Sequence, residues 1–368
     1  MNNIQFTKNE ILELSWEKPS LAQIELTRNC NQSCVFCFQD CSSNKKNVDL
    51  GLEEWKKIIN KLKHLGVTNI NFSGGENCLH KDFEDIIIWS KKQGFNIVIN
   101  TNGTFSLKNI INYVDEIVFS IHGLFDIHNK IVGLNNSFEL IENHIMEIND
   151  IFNNISINMV VVKSNFKTIE DVYNYFENKY KIKSFSATLP IPCYSGSEYK
   201  EEQLDITYNL LKEYFLVLKK IPEEKLVLKH GLGNIFKNTS KFYDNSKQFI
   251  LPSCIGGKYK LVISYDGSVY PCNFFRTDSF YCGNILYDDP VKIWNNGNGF
   301  KYFRNYMLDE MIHQDCKQCF KKNRCFGGCR AWTNTYISDY NENKGIIEYE
   351  RDMRCEITNA FIRTRDND

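Results

Sequence analysis

Fourteen cysteines in a chain of 368 residues raise the question of what they hold. Three fall within eight residues, Cys30-Asn31-Gln32-Ser33-Cys34-Val35-Phe36-Cys37, with the spacing C-x3-C-x2-C. Three thiolates this close can each take one iron of a cubane. The fourth iron then has no protein ligand and is open to a small molecule. Clusters with four cysteine ligands mainly carry electrons; an open iron can do chemistry. A zinc loop or spare thiols are the plainer readings of the same triplet. A second set runs Cys254, Cys272, Cys316, Cys319, Cys325, Cys329 and Cys355, and Cys41, Cys78, Cys193 and Cys282 lie outside both.

Disulfides do not account for so many thiols, because disulfide scaffolds are normally short and secreted. The start, MNNIQFTKNEILELSW, has neither an apolar run nor a basic leader, so no signal peptide is expected. No run of about 18 apolar residues exists to span a bilayer. The formal net charge is −1, which favours neither nucleic acid nor an anionic membrane as partner. A cytoplasmic protein with closely spaced cysteines more often binds metal.

The elements that must position these cysteines follow from periodicity. Residues 21–26, LAQIEL, read as a strand ending just before the first triplet. Leu52, Trp55, Ile58, Ile59, Leu62 and Leu65 fall at helical spacing. TNINFSGGE is a strand broken by two glycines. A helix over 82–94 precedes strand 96–100, punctuated by Thr101-Asn102-Gly103. Strand 115–121, helix 137–149, strand 156–162, helix 167–178, strand 185–189 and helix 203–219 continue the alternation. Such alternation argues for parallel strands wrapped by helices. Six units are too few for a closed eightfold barrel, so a partial (β/α)6 barrel is expected, with its chemistry at the C-terminal strand ends. After about residue 235 the pattern changes. LVISYDGSVYPC reads as a hairpin around Asp266-Gly267, and the rest is Cys-rich and irregular. We divide the chain into a 1–20 extension, a 21–235 barrel and a 236–368 metal-held domain.

The triplet, with Phe36 before its last cysteine and Thr27-Arg28-Asn29 leading in, resembles the radical S-adenosylmethionine (SAM) superfamily over residues 21 to about 235. The resemblance implies that Cys30, Cys34 and Cys37 hold a [4Fe–4S] cluster whose open iron chelates SAM through its amino and carboxylate groups. Reductive cleavage then yields a 5′-deoxyadenosyl radical that takes a hydrogen atom from substrate. Ser73-Gly74-Gly75-Glu76 resembles the family's motif for the methionyl amino group. Its glycines allow close backbone approach, and Glu76 offers a carboxylate acceptor. Asn102 and Ser120 match third- and fourth-strand positions that contact SAM, as does Phe36. In HNKIVGLNNSFE the family sometimes places an arginine for the SAM carboxylate; Val132 stands there, so another donor must serve. Cys78 reads as a small buried side chain.

The second set resembles the seven-cysteine SPASM domain of peptide-modifying radical SAM enzymes. VYPC at 269–272, Gly283-Asn284-Ile285, Ile293-Trp294 and Gly327-Gly328 match its landmarks. By that resemblance Cys316, Cys319, Cys325 and Cys355 ligate an outer auxiliary [4Fe–4S] cluster. Cys254, Cys272 and Cys329 ligate an inner one, with Cys282 a candidate fourth ligand or else an open iron suited to a substrate thiolate. Three clusters are therefore expected.

The resemblance implies action on a ribosomally made peptide, with a thioether or C–C cross-link as the leading outcome. Epimerisation is an alternative, with Cys78 or Cys193 as hydrogen donor. Formylglycine formation in sulfatases is disfavoured, because Asn273 replaces the aspartate after the VYPC cysteine and cannot take a proton at neutral pH. Small-molecule dehydrogenation and a non-enzymatic zinc scaffold complete the alternatives. The expected partners are the peptide, an electron donor such as flavodoxin or ferredoxin, and a separate leader-recognition protein.

Overall fold

The computed structural model describes residues 17–39, 41, 48–191, 202, 204, 207–229, 254–305, 316 and 328–334. Cys193, Cys319, Cys325 and Cys355, and the expected boundary near 235, lie outside these residues.

Six parallel strands alternate with helices. They are β1 (Leu21–Glu25), β2 (Asn69–Ser73), β3 (Asn96–Thr101), β4 (Glu116–Ser120), β5 (Ile155–Val160) and β6 (Ser184–Thr188). Helix α1 (Leu52–Leu65) follows β1 and α2 (Phe83–Lys92) follows β2. A 3-10 turn, Lys108–Tyr113, links β3 to β4. Beyond β4 come the short α3 (Asp126–Val132) and then α4 (Ser137–Asn149); α5 (Ile169–Tyr180) follows β5 and α6 (Tyr208–Leu218) follows β6. Strands β7 (Lys260–Ile263) and β8 (Val269–Tyr270) form the expected hairpin. The strand order is β6-β5-β4-β3-β2-β1-β7-β8. Strand β7 pairs parallel with β1, Ala22 opposite Leu261 and Ile24 opposite Ile263. The hairpin of the Cys-rich region thus extends the barrel's own sheet.

Helix α1 forms because its apolar residues share one face. Trp55, Ile58, Ile59, Leu62 and Leu65 are all buried. Glu53 and Glu54 sit in its first turn and Lys63 and His64 in its last, complementing the helix dipole. Gly66 ends it at φ 92°, a left-handed position that suits glycine.

The strands alternate more than buried parallel strands usually do. Ala22, Ile24, Ile70, Phe72, Ile97, Ile99, Ile117 and Phe119 face the helices and are buried. Apart from Val98 and Val118, many of their neighbours are amides and hydroxyls that bond across the other face. Gln23 Nε2 donates to Ser73 Oγ at 3.0 Å, and Asn100 Nδ2 donates to Asn71 Oδ1. Ser184 Oγ donates to Ser156 Oγ at 2.9 Å, and Ser186 Oγ to Asn158 Oδ1 at 2.8 Å. The inner face of this open barrel is polar, unlike the packed apolar interior of a closed one. Residues 225–227 run beside β6, Phe185 donating to the Lys225 carbonyl at 2.7 Å and Val227 to the Phe185 carbonyl at 2.9 Å. No helix among the described residues is long and apolar enough to cross a membrane.

Candidate active site

The loop after β1 carries Cys30, Cys34 and Cys37 at the C-terminal strand ends, and four segments grip it. Gly75 N–H donates to the Thr27 carbonyl and Glu76 N–H to the Asn29 carbonyl, each at 2.8 Å. The carbonyls at the end of α3 accept from the other side, Val132 from Ser33 N–H at 2.9 Å and Ile131 from Val35 N–H at 3.1 Å. Asn31 Nδ2 donates to Thr104 Oγ1 at 2.9 Å. Gln32 Nε2 donates to Ser137 Oγ at 2.9 Å, at the start of α4.

The glycines have a different immediate task from the one their motif suggested. A Cβ on Gly75 would lie 2.1 Å from the Asn29 carbonyl oxygen, and one on Gly74, at φ 125°, would lie 2.6 Å from that of Thr27. Their close approach is to the cysteine loop itself. Val132 likewise acts here through its carbonyl, and its side chain is fully buried.

Glu76 is fully buried. Its Oε1 accepts from Thr101 Oγ1 at 2.9 Å and Cys78 N–H at 3.4 Å; its Oε2 accepts from Asn102 N–H at 2.7 Å. Burial pushes its carboxyl up, and these donors oppose the rise. Each carboxylate oxygen has more than one acceptor site, so capacity for an ammonium group remains. Asn102 is oriented by its own bonds. Its Oδ1 accepts from Thr104 N–H at 3.0 Å and Thr104 Oγ1 at 2.7 Å. Its amide nitrogen must then face the loop, where it donates to Asn31 Oδ1 at 2.8 Å and to Cys30 Sγ at 3.8 Å.

Phe36 stands edge-on to His122, ring centroids 4.6 Å apart. Nδ1 of His122 accepts from Val160 N–H at 3.0 Å, and burial holds this imidazole well below its usual pKa. His128 Nδ1 accepts from His122 N–H at 3.1 Å, and its other nitrogen meets Ser137 Oγ at 3.2 Å. Ser120 pairs in register with Asn158. Asn158 Oδ1 also accepts from Lys229 Nζ at 2.7 Å, and burial brings that lysine down to about 8. Cys78 is pushed above its usual range, first by burial and then by the Glu76 charge.

The cysteines of the triplet feel one another's charge, and burial pushes Cys30 up to about 11 and Cys34 well above its usual value. Cys41, also raised, sits against Cys37 through a side-chain hydrogen bond and donates to Gln39 Oε1 at 3.3 Å. Among the described residues no three His, Cys, Asp or Glu side chains converge as ligands of one metal ion would. A cubane takes each thiolate on a separate iron, so a set of mutually close but non-convergent thiols fits it.

In the hairpin region the charge of Cys254 acts on Cys272, whose thiol burial pushes up, and Cys329 is buried beside Arg330. Cys282 is engaged elsewhere. Its Sγ donates to the Phe280 carbonyl at 3.3 Å and feels Arg304; backbone N–H groups of Gly299 and Phe300 bond it. Gly297 and Gly299 crowd that sulfur, since a Cβ on either would lie about 3 Å from it. Cys316 lies in a helical residue of intermediate burial.

Glu25 escaped the sequence reading, although a lone carboxylate in LAQIEL was a visible signal. It is fully buried at the end of β1. Its Oε1 accepts from Gln39 Nε2 at 2.8 Å and pairs with the Arg276 guanidinium, whose Nε donates to the Asn273 carbonyl at 2.9 Å. His122, His128 and Ser137 were missed too, because only the fold brings them behind the cysteine loop.

Residues 24–176 match the Radical SAM superfamily, and residues 254–320 match SPASM, an iron–sulfur cluster-binding domain. The chain is 24% identical over 344 residues to an AdoMet-dependent heme synthase of Oleidesulfovibrio alaskensis, covering 89% of this chain and 86% of that one. It is 26% identical over 339 residues to a cysteine-type anaerobic sulfatase-maturating enzyme of Clostridium perfringens, covering 82% and 86%. Among solved structures, anSMEcpe with bound AdoMet and Cp18Cys peptide superposes with a TM-score of 0.72 at 20% identity, covering 95% of this chain and 98% of that one. Streptococcus suis SuiB bound to S-adenosylmethionine gives 0.71 at 18%, covering 92% and 78%. Both domain matches fall on the two cysteine-bearing regions of one sheet: this chain belongs to the radical SAM superfamily and is a SPASM-type iron–sulfur enzyme.

Proposed function

We propose that this enzyme abstracts a hydrogen atom from a ribosomally made peptide and joins the resulting carbon radical to a thiol or another carbon. The polar inner face of the barrel carries this reading. Gln23, Asn71, Asn100 and Asn158 offer amide donors and acceptors of the kind an extended peptide backbone matches. Relatives of the same fold were solved with peptides, SuiB with the precursor peptide SuiA and anSMEcpe with Cp18Cys.

In this reading Cys30, Cys34 and Cys37 hold the SAM cluster, and Cys254, Cys272 and Cys329 an inner auxiliary cluster, while Cys282 stays with the Phe280 carbonyl. Cys316, Cys319, Cys325 and Cys355 hold an outer one. When bound, cluster and SAM supply the 5′-deoxyadenosyl radical, and the protein's part is positioning and exclusion of water. Glu76 takes the methionyl ammonium while Asn102 N–H and Thr101 hold its carboxylate in place. Gly74 and Gly75 fix the cysteine loop. Phe36 and Ser120 complete the SAM pocket. Asn273 counts against formylglycine formation: its Oδ1 lies 3.4 Å from Lys260 Nζ, and an amide there takes no proton. Flavodoxin or ferredoxin supplies the electron, and a separate recognition protein delivers a leader-bearing peptide.

A second reading, a carboxylate-bearing tetrapyrrole, is favoured by the names of the heme synthase and of an Fe-coproporphyrin III synthase of Methanosarcina barkeri, 23% identical over 308 residues. The deciding experiment gives anaerobic, reconstituted enzyme SAM and dithionite with either short peptides encoded beside its gene or Fe-coproporphyrin III. A peptide lighter by a pair of hydrogens, together with 5′-deoxyadenosine, is the expected result. An unchanged peptide with consumed tetrapyrrole would replace the first reading by the second. The C30A/C34A/C37A chain should make no 5′-deoxyadenosine while keeping its auxiliary iron.

A further inference from the structure

Lys229 reaches the polar inner face of the barrel from the segment that runs beside β6. Backbone bonds between Phe185 and both Lys225 and Val227 hold that segment. Two residues on, Lys229 Nζ donates to Asn158 Oδ1 at 2.7 Å. The same oxygen accepts from Ser186 Oγ at 2.8 Å and Thr188 Oγ1 at 3.2 Å. An amide oxygen has two lone pairs, so three donors compete for it. An ammonium group has three N–H bonds, and among the described residues this shared, neutral oxygen is the only acceptor that Lys229 meets. The carboxylate that acts on it, Glu116, is already bonded to Lys183 Nζ and Ser156 Oγ. Burial brings the ammonium down to about 8, because a cation taken out of water needs acceptors and a counter-charge.

The donors around Oδ1 also fix the rest of the amide. With its oxygen towards them, Asn158 turns Nδ2 away, and Nδ2 donates to no acceptor among the described residues. Ser120, in register beside Asn158, makes no side-chain hydrogen bond among them either. Both residues are only partly buried. An ammonium with spare N–H groups, next to two amide N–H groups and a hydroxyl, is a receptor for an anion. One cation matches the single charge of a carboxylate, whose two oxygens take several donors.

With the methionyl ammonium at Glu76, SAM's own carboxylate belongs elsewhere, because the two groups share one carbon. Glu76 follows β2, whereas Asn158 lies on β5, three strands away. At about 4.8 Å per strand that is about 14 Å along the sheet.

We propose that Lys229 Nζ and Asn158 Nδ2 bind a carboxylate of the substrate and so orient the carbon that loses hydrogen. The carboxylate is an Asp or Glu side chain of the peptide, and that identity rests on the peptide reading above.

The test acetylates the full chain, reconstituted anaerobically, with an N-hydroxysuccinimide ester of acetate and reads Lys229 by mass spectrometry. Exposed Lys57 is the internal control. The probes are the tripeptide N-acetyl-Gly-Glu-Gly-amide, its glutamine counterpart and Fe-coproporphyrin III, each added with SAM until the rate stops changing. A carboxylate on the ammonium keeps it charged and unreactive, so the glutamate peptide should slow acetylation of Lys229 at least tenfold. The glutamine peptide should slow it less than twofold, and Lys57 should react alike throughout. Asn158→Ala should cut the slowing to a third or less. Equal slowing by the two peptides overturns the proposal. So does full slowing by SAM alone, which would make the carboxylate SAM's own. An unreactive Lys229, or no slowing by any probe, overturns it too. Slowing by Fe-coproporphyrin III but not by the glutamate peptide leaves the receptor standing and fails the peptide reading instead.

Discussion

At Gly75 a single methyl group decides whether the cysteine loop can lie where it does. The nearest obstacle is backbone, the Asn29 carbonyl at 2.1 Å, which cannot swing aside like a flexible side chain. Gly75→Ala should therefore destabilise the fold by about 1–3 kcal/mol, read as a lowered urea midpoint, and weaken SAM binding at least tenfold by equilibrium dialysis. A second prediction concerns acid. Burial holds His128 at about 4 rather than its ordinary 6.5, so the folded protein keeps it neutral where the unfolded chain protonates it. Its contribution is present above pH 6.5 and is lost as the pH falls towards 4. At pH 5 the loss is about 2 kcal/mol, and His122, shifted the same way, adds to it. Urea midpoints at pH 7 and pH 5 should differ accordingly, and His128→Gln should shrink the difference. Glu76 was legible from its spacing after the triplet, since a carboxylate beside two glycines needs no fold to be noticed. The turn of Asn102 towards Cys30 was not, because Thr104 fixes that amide through contacts only the folded loop makes.

Helix α3 shows what an element contributes beyond its side chains. Its last carbonyls, Ile131 and Val132, accept from the cysteine loop, and Gly133 ends it at φ 65° with Ser33 Oγ 2.2 Å from where a Cβ would stand. Gly133→Ala should lower iron retained per chain after reconstitution. Adding Ser33→Ala relieves the clash but leaves the left-handed strain of about 1 kcal/mol, so iron should recover only in part. Helices α1 and α4 were legible to the residue, because their apolar stripes and polar flanks agree with one another. The 3-10 turn at Lys108–Tyr113 was not foreseen, since a short apolar cluster without a full stripe gives no period to read. Helix α3 was likewise hidden, being too short to repeat its pattern.

Across the whole molecule the strands of the barrel and the Cys-rich region form one sheet. The change of pattern after about residue 235 suggested a second domain, and parallel pairing of β7 on β1 could not be read from periodicity, which says nothing about which strand meets which. The Glu25–Arg276 pair ties the two regions together at the site. Arg276→Met leaves a buried carboxylate uncompensated and should cost about 3–5 kcal/mol, whereas Glu25→Gln with Arg276→Met should recover most of it. Urea unfolding of both variants checks this. A chain cut after residue 235 lacks β7 and bares the edge of β1, a strand whose Ala22 and Ile24 are buried in the intact sheet. Exposed edges of this kind pair with other chains, so the truncated chain should run as aggregates in gel filtration.

The same pairing sets a timetable for biosynthesis. Strand β1 and the cysteine loop leave the ribosome about 235 residues before β7. At roughly 5–20 residues per second the nascent chain spends some 12–50 seconds with β1 flanked on one side only. During that interval the first three thiols are already available while the later cysteine set does not yet exist. Translation thus presents Cys30, Cys34 and Cys37 before the sheet can close on β7.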